Sequence, residues 1–217
     1  TVPAALAGAK LRVRIGAHSD RLWHLDSWKR CPDITRTFPV TAERTPAANA
    51  FGGLVYLESP GGAGDGASRV RISGAVDAPL YVRGRTTAAE WRSIRDRPAP
   101  WGELATDKVI LTVPCDRLRK LDDPEPLLEV WDRILDAQAD LAAIPRDRAR
   151  PERIVPDIQI SAGYMHAGYP IMTWDDQYDV LVSRDALLKG QWGLFHELGH
   201  NHQQRDWPFG ELGRVHV

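Results

Sequence analysis

Five residues near the carboxyl end of this 217-residue chain constrain its fold more than any other feature: His196–His200, with the sequence HELGH. Residues four positions apart lie on one face of an α-helix, so both histidines can bind one Zn²⁺ through nitrogens about 2.0–2.1 Å from the ion. The pattern predicts a helix from residue 187 to about 204, with His196 and His200 as zinc ligands and Glu197 as the general base. The alternative is a surface helix whose histidines merely flank a glutamate.

The residues around this pattern agree with a catalytic helix. Trp192, Phe195 and Leu198 are predicted to form its buried face, because apolar residues at this spacing share one side of a helix. Upstream, Tyr169–Met172 predicts an edge strand, since its proline cannot donate a hydrogen bond to a neighbouring strand. Such a strand is suited to holding an extended peptide by strand addition. The remaining histidines, His18, His24, His166, His202 and His216, are not predicted to bind metal. His202 is expected to point away from the metal-binding face of the helix.

The first hundred residues are predicted to be rich in β-strands. Short runs of alternating apolar residues are separated by turn-rich segments such as Pro60–Gly66, a pattern typical of a sandwich-like sheet region. Pro98–Pro100 interrupts this pattern. We therefore place a domain boundary near residue 100, with a β-rich region over 1–100 and a second domain over 101–217. The strands predicted in the first region are 11–15, 54–57, 70–72 and 80–82.

The second region combines strands and helices, so the predicted fold class is α+β. Val109–Val113 reads as a buried strand and 158–160 as another. The clearest helix begins after Asp123, whose side chain can cap it, with Pro124 in the first turn. Residues on one face of this helix then recur at helical spacing over about five turns. They are Leu127, Trp131, Ile134, Leu135, Gln138, Leu141 and Ala142.

Composition excludes several classes of protein. Lys and Arg number 28 against 29 Asp and Glu, a net charge of −1, so we expect no nucleic-acid partner. No apolar run approaches the roughly 20 residues that span a bilayer, and the first ten residues lack the pattern of a signal peptide. Cys31 and Cys115 fit no metal-binding spacing. They form either one disulfide or two buried thiols.

Distinctive motifs are spread over nearly the whole chain. One is GLFHELGHNHQ at Gly193–Gln203, followed by Trp207. Together with the upstream motifs, it resembles the peptidase M60 family, the enhancin-like, mucin-degrading zinc metallopeptidases. The upstream motifs are RIGAH at 14–18, LW at 22–23, WKR at 28–30, FGGLVY at 51–56, APW at 99–101 and QISAGYMHAGYPIM at 159–172.

The resemblance implies a β-rich N-terminal region followed by a gluzincin catalytic domain, of which this chain carries a part. It also implies cleavage of proteins, notably O-glycosylated mucins, with Zn²⁺ as the cofactor. Protein or mucin-type glycoprotein substrates and an extracellular or cell-surface location are therefore expected. The rival expectation is a catalytically inactive relative that binds protein or glycan, because some animal proteins with an M60-like domain are ion-channel partners.

One departure from the family pattern concerns the metal. In the family, a glutamate downstream of the second histidine is the third zinc ligand. Alignment on Trp207 and Val215 places Arg214 at that position, and an arginine has no lone pair to give a metal. Glu211 can substitute only if the turn before it is shorter. With Arg214 at the ligand position, we expect this chain to bind zinc weakly and to show little or no protease activity.

Overall fold

The computed structural model describes residues 1–59 and 68–204. Its N-terminal part contains a three-stranded antiparallel sheet made of β1 (Arg12–Ile15), β2 (Arg36–Pro39) and β3 (Val55–Glu58). In this sheet β1 lies between β2 and β3. The strands predicted at 11–15 and 54–57 are therefore confirmed.

The strand predicted at 70–72 is wrong, because this segment joins no sheet. Arg71 donates its N–H to the carbonyl oxygen of Thr1 at 2.9 Å, and its own carbonyl accepts from the terminal amine of Thr1 at 2.5 Å. Val70 packs beside a small apolar cluster near the amino terminus. The alternating pattern thus reflects contact with the amino terminus and not with a neighbouring strand.

A second, six-stranded mixed sheet consists of β4 (Leu80–Val82), β5 (Trp101–Ala105), β6 (Val109–Pro114), β7 (Glu152–Asp157), β8 (Met165–His166) and β9 (Ile171–Trp174). The strand order is β4-β5-β6-β7-β9-β8. β6, β7 and β9 run parallel, whereas β5 is antiparallel to β6 and β8 is antiparallel to β9. The strands predicted at 80–82 and 109–113 are confirmed, and β6 is central and largely buried.

Two strand predictions in the second region need correction. The strand predicted at 158–160 lies earlier in the chain, because β7 ends at Asp157. The carboxylate of Asp157 accepts a hydrogen bond from the N–H of Ile158 at 2.7 Å, and the chain turns there. The edge strand predicted at Tyr169–Met172 begins only at Ile171, and it is not an edge. It lies between β7 and β8, so the two-residue β8 is the edge strand.

The helices are α1 (Ala88–Ile94), α2 (Cys115–Leu118), α3 (Glu125–Leu141), α4 (Tyr178–Leu181), α5 (Arg184–Leu188) and α6 (Trp192–His202). α3 begins as predicted, and Asp123 accepts from the N–H of Glu125 at 3.0 Å. Its residues Leu127, Trp131 and Leu135 are buried. Leu141 is an exception to the predicted apolar stripe, because it is 69% exposed at the end of the helix.

The helix predicted from 187 to 204 is two helices, α5 and α6. Gly190 separates them with a φ of +88°, in the left-handed region that favours glycine. The chain therefore changes direction before Trp192, and the predicted metal-binding residues all lie on α6.

The main core lies against the six-stranded sheet. Trp91, Leu104, Trp131 and Leu198 are fully buried there, so α6 is packed into the core by its apolar side. The α+β class is confirmed. The domain boundary near residue 100 stays a prediction. β4 precedes this position in the sequence, β5 follows it, and the two strands pair in parallel.

The two cysteines match neither predicted alternative. Both thiols are free, Cys31 is exposed, and only Cys115 is buried, where burial raises the pKa of its thiol. In the described parts of the chain, no helix has the length and apolar character needed to cross a membrane.

Candidate metal centre

His196 and His200 face each other across one turn of α6. Their Nε2 atoms lie 3.0 Å apart, and their ring planes are nearly perpendicular, with centroids 4.4 Å apart. Two nitrogens each about 2.0–2.1 Å from a tetrahedral zinc ion are separated by about 3.3 Å, so the pair can share one ion after a small adjustment. Glu197, which directly follows His196 on α6, is partly buried.

Trp192 lies next to this pair and not in the core. The sequence places Trp192 on the buried face of the helix, but its side chain is 75% exposed. Its ring stacks on that of His196, with centroids 4.4 Å apart and an interplanar angle of 25°. Leu194 and Leu198 are the buried anchors of α6 instead, and Phe195 is only partly buried.

His202 points away from the pair into the protein. Its Nδ1 lies 2.6 Å from the carbonyl oxygen of Leu198, and its Nε2 contacts the guanidinium of Arg148. Burial lowers the pKa of His202, which favours the neutral ring. The expectation that His202 points off the metal face agrees with this position.

The edge strand β8 brings His166 close to the helix. Its Nε2 lies 3.3 Å from Asp20 Oδ1 and 3.2 Å from Ser161 Oγ, and its Nδ1 lies 3.0 Å from the carbonyl oxygen of Ala167. The hydrogen bond to Asp20 raises the pKa of His166 against the opposing effect of burial, and the charge of Glu197 raises it further. Nδ1 faces a carbonyl oxygen and Nε2 faces a carboxylate oxygen, an arrangement that favours the protonated ring of His166.

Asp20 remains a carboxylate in this setting. Burial alone would raise its pKa, but hydrogen bonds from His166 and Ser161 outweigh burial and lower the pKa to about 2. Ser161 donates its backbone N–H to Asp20 Oδ2 at 2.7 Å. The serine and the aspartate both contact Nε2 of the histidine, so these three residues do not form the relay in which each binds a different ring nitrogen.

The loop at residues 18–30 contributes further contacts to this wall of the site. Gln159 accepts from the N–H of Lys29 at 2.6 Å, and the Lys29 ammonium lies 4.5 Å from the centroid of the Trp174 ring. His24 Nε2 lies 2.9 Å from the carbonyl oxygen of Ser161. His18 is buried and lies 3.0 Å from Asp157. The isolated histidines of the sequence thus include three that join the N-terminal region to the segment from β7 to β8: His18, His24 and His166.

Both residues considered as the third ligand lie outside the described residues. Glu211 and Arg214, the two residues considered for that position, belong to residues 205–217, and so does His216. Over residues 1–59 and 68–204, no group of three or more His, Cys, Asp or Glu side chains has the arrangement of a metal site. The described part of the centre therefore consists of two imidazoles and the glutamate between them.

Sequence patterns match known families over the full length of the described chain. Residues 74–215 match the family model "Peptidase M60, enhancin and enhancin-like", and residues 1–73 match "N-terminal domain of M60-like peptidases". TRPM8 channel-associated factor 2 of Bos taurus is 46% identical over 207 residues. That match covers 94% of this chain but 23% of the relative, so the chain spans about a quarter of the relative's length.

Solved structures share the fold at low sequence identity. The catalytic module of the metalloprotease ZmpA from Clostridium perfringens has a TM-score of 0.60 and 14% identity, covering 92% of this chain and 44% of that one. The M60 catalytic domain of Clostridium perfringens ZmpC, in complex with the sialyl T antigen, has a TM-score of 0.58 and 15% identity. The match to ZmpC covers 93% of this chain and 47% of that chain.

Proposed function

The chain belongs to the peptidase M60 family, and on that premise we propose that it is a zinc-dependent endopeptidase module that hydrolyses peptide bonds in proteins. The observation that carries the proposal is the 3.0 Å separation of the Nε2 atoms of His196 and His200, with Glu197 between them on one helix. Nitrogen ligands on adjacent turns favour zinc over the harder divalent ions.

The two imidazoles fit a zinc ion as two of its three protein ligands. Within residues 205–217, Glu211 offers a carboxylate as a candidate third ligand and Arg214 does not. A bound zinc ion supplies Lewis acidity, which lowers the pKa of a water molecule towards 7 and polarises the carbonyl group to be cleaved.

The chain's own groups position the substrate and move the proton. A carboxylate oxygen of Glu197 accepts the proton of the attacking water and returns it to the nitrogen of the leaving amine. Among the described residues, β8 is the outermost strand on its side of the sheet, so an extended polypeptide can pair with it by main-chain hydrogen bonds. A protonated His166, held by Asp20, would favour a substrate oxygen that gains negative charge.

We further propose that the substrates are O-glycosylated, mucin-type proteins met outside the cell or at its surface. The support is indirect: the related catalytic domain of ZmpC is described in complex with the sialyl T antigen. The exposed Trp192 beside His196 provides an aromatic face near the proposed scissile bond.

The second candidate function is a catalytically inactive module that binds protein or glycan. It is favoured by the 46% identity to a protein named as a TRPM8 channel-associated factor, a name that describes association and not catalysis. It is also favoured if Arg214 occupies the third ligand position, because an arginine cannot complete the zinc site.

A single pair of variants separates the two candidates. Glu197→Gln keeps the shape of the side chain and removes the proton acceptor, so cleavage of an O-glycosylated polypeptide should fall by at least about 100-fold while zinc content is unchanged. Glu129→Gln, an exposed change on α3, is the matched control and should cleave like the unaltered protein. Equal cleavage by Glu197→Gln would overturn the assigned mechanism. No cleavage by the unaltered protein, with retained binding of the glycopolypeptide, would favour the binding module.

A further inference from the structure

The edge strand β8 and the turn that directly follows it, which contains Gly168, are fastened to α6 at two points that flank His196–His200. The first point is Asn201, directly after the second histidine. Gly168 donates its N–H to Asn201 Oδ1 at 3.0 Å, and Asn201 Nδ2 donates to the carbonyl oxygen of Gly168 at 3.0 Å. One side-chain amide thus satisfies both backbone groups of Gly168, as a neighbouring strand would.

Asn201 is itself fixed from a third direction. Its Nδ2 donates to Glu152 Oε2 at 2.8 Å, at the first residue of the central strand β7. The other carboxylate oxygen of Glu152 accepts from Arg148 at 2.8 Å, and Arg148 contacts the buried ring of His202. The amide of Asn201 therefore has a defined orientation, because its oxygen and its nitrogen both contact Gly168 while Nδ2 also contacts Glu152.

The second point lies at the start of α6. A Cβ atom built on Gly193 would lie 3.0 Å from Met165 Sδ and 3.3 Å from Met165 Cε, which is closer than ordinary packing. The absence of a side chain at Gly193 lets β8 approach the helix one turn before His196. β8 and the turn after it are thus held on both sides of the residues that would bind the metal and activate water.

We propose that Asn201 is a positioning residue that fixes the register of β8 over His196–His200, and so decides which peptide bond of a bound polypeptide reaches Glu197. The inference rests on the proposed function. An extended substrate paired with β8 inherits the position of that strand, and a shift by one residue would present a different bond and reverse the side-chain directions. Small displacements of this kind have large effects on catalysis, because the reacting atoms must lie within about 3–3.5 Å.

The exposure of Asn201 distinguishes this role from a purely stabilising one. Hydrogen bonds of an exposed side chain compete with water and contribute little to the free energy of unfolding. Removal of the amide should therefore leave the protein folded and loosen only β8. Thr87→Ala is the matched control, because it removes the capping box of α1 at a distance from the site.

The test compares Asn201→Ala, Asn201→Asp and Thr87→Ala in the full chain, with a synthetic O-glycosylated polypeptide of defined sequence as substrate. Asn201→Ala should lower kcat/KM at least tenfold and add cleavage positions seen by mass spectrometry, with zinc affinity changed less than threefold. Asn201→Asp keeps the acceptor for Gly168 and should be intermediate. The control should cut at the original positions. Unchanged cleavage positions in Asn201→Ala, with a loss no larger than that of Thr87→Ala, would overturn the proposal.

Failure of the proposed function gives a different result. If the unaltered protein cleaves nothing, the endopeptidase proposal fails, and amide hydrogen exchange at Gly168 then decides the inference about Asn201. Exchange at least tenfold faster in Asn201→Ala than in Thr87→Ala would support a clamp on β8. Equal exchange rates in the two variants would overturn it.

Discussion

Asp20 Oδ1 lies 3.3 Å from Nε2 of His166, which joins the N-terminal region to the edge strand of the six-stranded sheet. Asp20 belongs to residues 1–73, matched by the N-terminal family model, whereas His166 belongs to residues 74–215, matched by the peptidase model. The charge on β8 beside Glu197 therefore depends on a residue from the other matched region. We expect the N-terminal region to contribute to the site and not only to the fold.

The first prediction concerns this pair and pH. The hydrogen bond to Asp20 raises the pKa of folded His166 above 6.5, so the pair stabilises the protein below pH 6.5 and this contribution is lost as pH rises through the raised value. Asp20→Asn should lower the free energy of unfolding by about 1–3 kcal/mol at pH 5.5 and by less at pH 9. Urea unfolding at both pH values measures the difference. An equal loss at both would show that the pair is not an ion pair.

The second prediction concerns the stacked ring of Trp192. Aromatic stacking contributes about 0.5–1.5 kcal/mol, so Trp192→Ala should weaken zinc binding by roughly 2- to 12-fold by losing the support of His196. Because Trp192 is 75% exposed, the free energy of unfolding should change little. Trp192→Phe keeps an aromatic face and is the control. Zinc affinity measured with a competing chelator checks the result, and equal affinities in all three proteins would contradict it.

The third prediction concerns the buried anchor of α6. Leu198 is fully buried between the two histidine positions, so Leu198→Ala should cost about 2–5 kcal/mol of unfolding free energy by leaving a cavity. Leu188→Ala is the matched control on α5, where the side chain is 51% exposed and the cost should be below about 0.5 kcal/mol. Similar losses in the two variants would mean that α6 is not packed as described.

The fourth prediction concerns the third ligand, whose two candidate residues lie outside the described residues. If Arg214 occupies the ligand position, Arg214→Glu should tighten zinc binding at least tenfold, because a ligand replaces a repelling charge. In that case Glu211→Gln should have no effect on the affinity. The opposite pattern, a loss in Glu211→Gln and no gain in Arg214→Glu, would show that Glu211 supplies the carboxylate. Calorimetric titration of both variants distinguishes the two registers.

Periodic patterns predicted the parts of the fold that depend on local sequence. The helix after Asp123 and the helical placement of His196 and His200 follow from spacing alone, because one turn brings such residues together. The spacing of apolar residues did not predict that Trp192 is exposed. Such spacing identifies one face of the helix but does not show whether another element covers that face. Gly190 ends the preceding helix, and a single glycine in a helical pattern gives only a weak signal of a break.

The contacts that complete the site are of a different kind. Asp20 and His166 are far apart in the sequence; His166 lies in the motif at 159–172, whereas Asp20 lies outside the motifs, so no spacing pairs the two residues. β8 has only two residues, too few to show an alternating pattern. The edge strand was therefore predicted at the apolar residues of β9 instead. Asn201 lies inside the HELGHNHQ segment, but only its hydrogen bonds with Gly168 indicate a positioning role. The Asp20–His166 pair, the edge strand β8 and the contacts of Asn201 all depend on tertiary neighbours, which a single sequence does not show.

The central claim is that His196 and His200 together hold one zinc ion. Calorimetric titration of zinc into the metal-free protein, alongside His200→Ala and the off-site control Glu129→Gln, tests it most directly. We predict one zinc ion per chain for the unaltered protein and for Glu129→Gln, and at least a hundredfold weaker binding for His200→Ala, because the variant loses one of the two imidazole ligands. Equal zinc binding by His200→Ala and the unaltered protein would contradict the account.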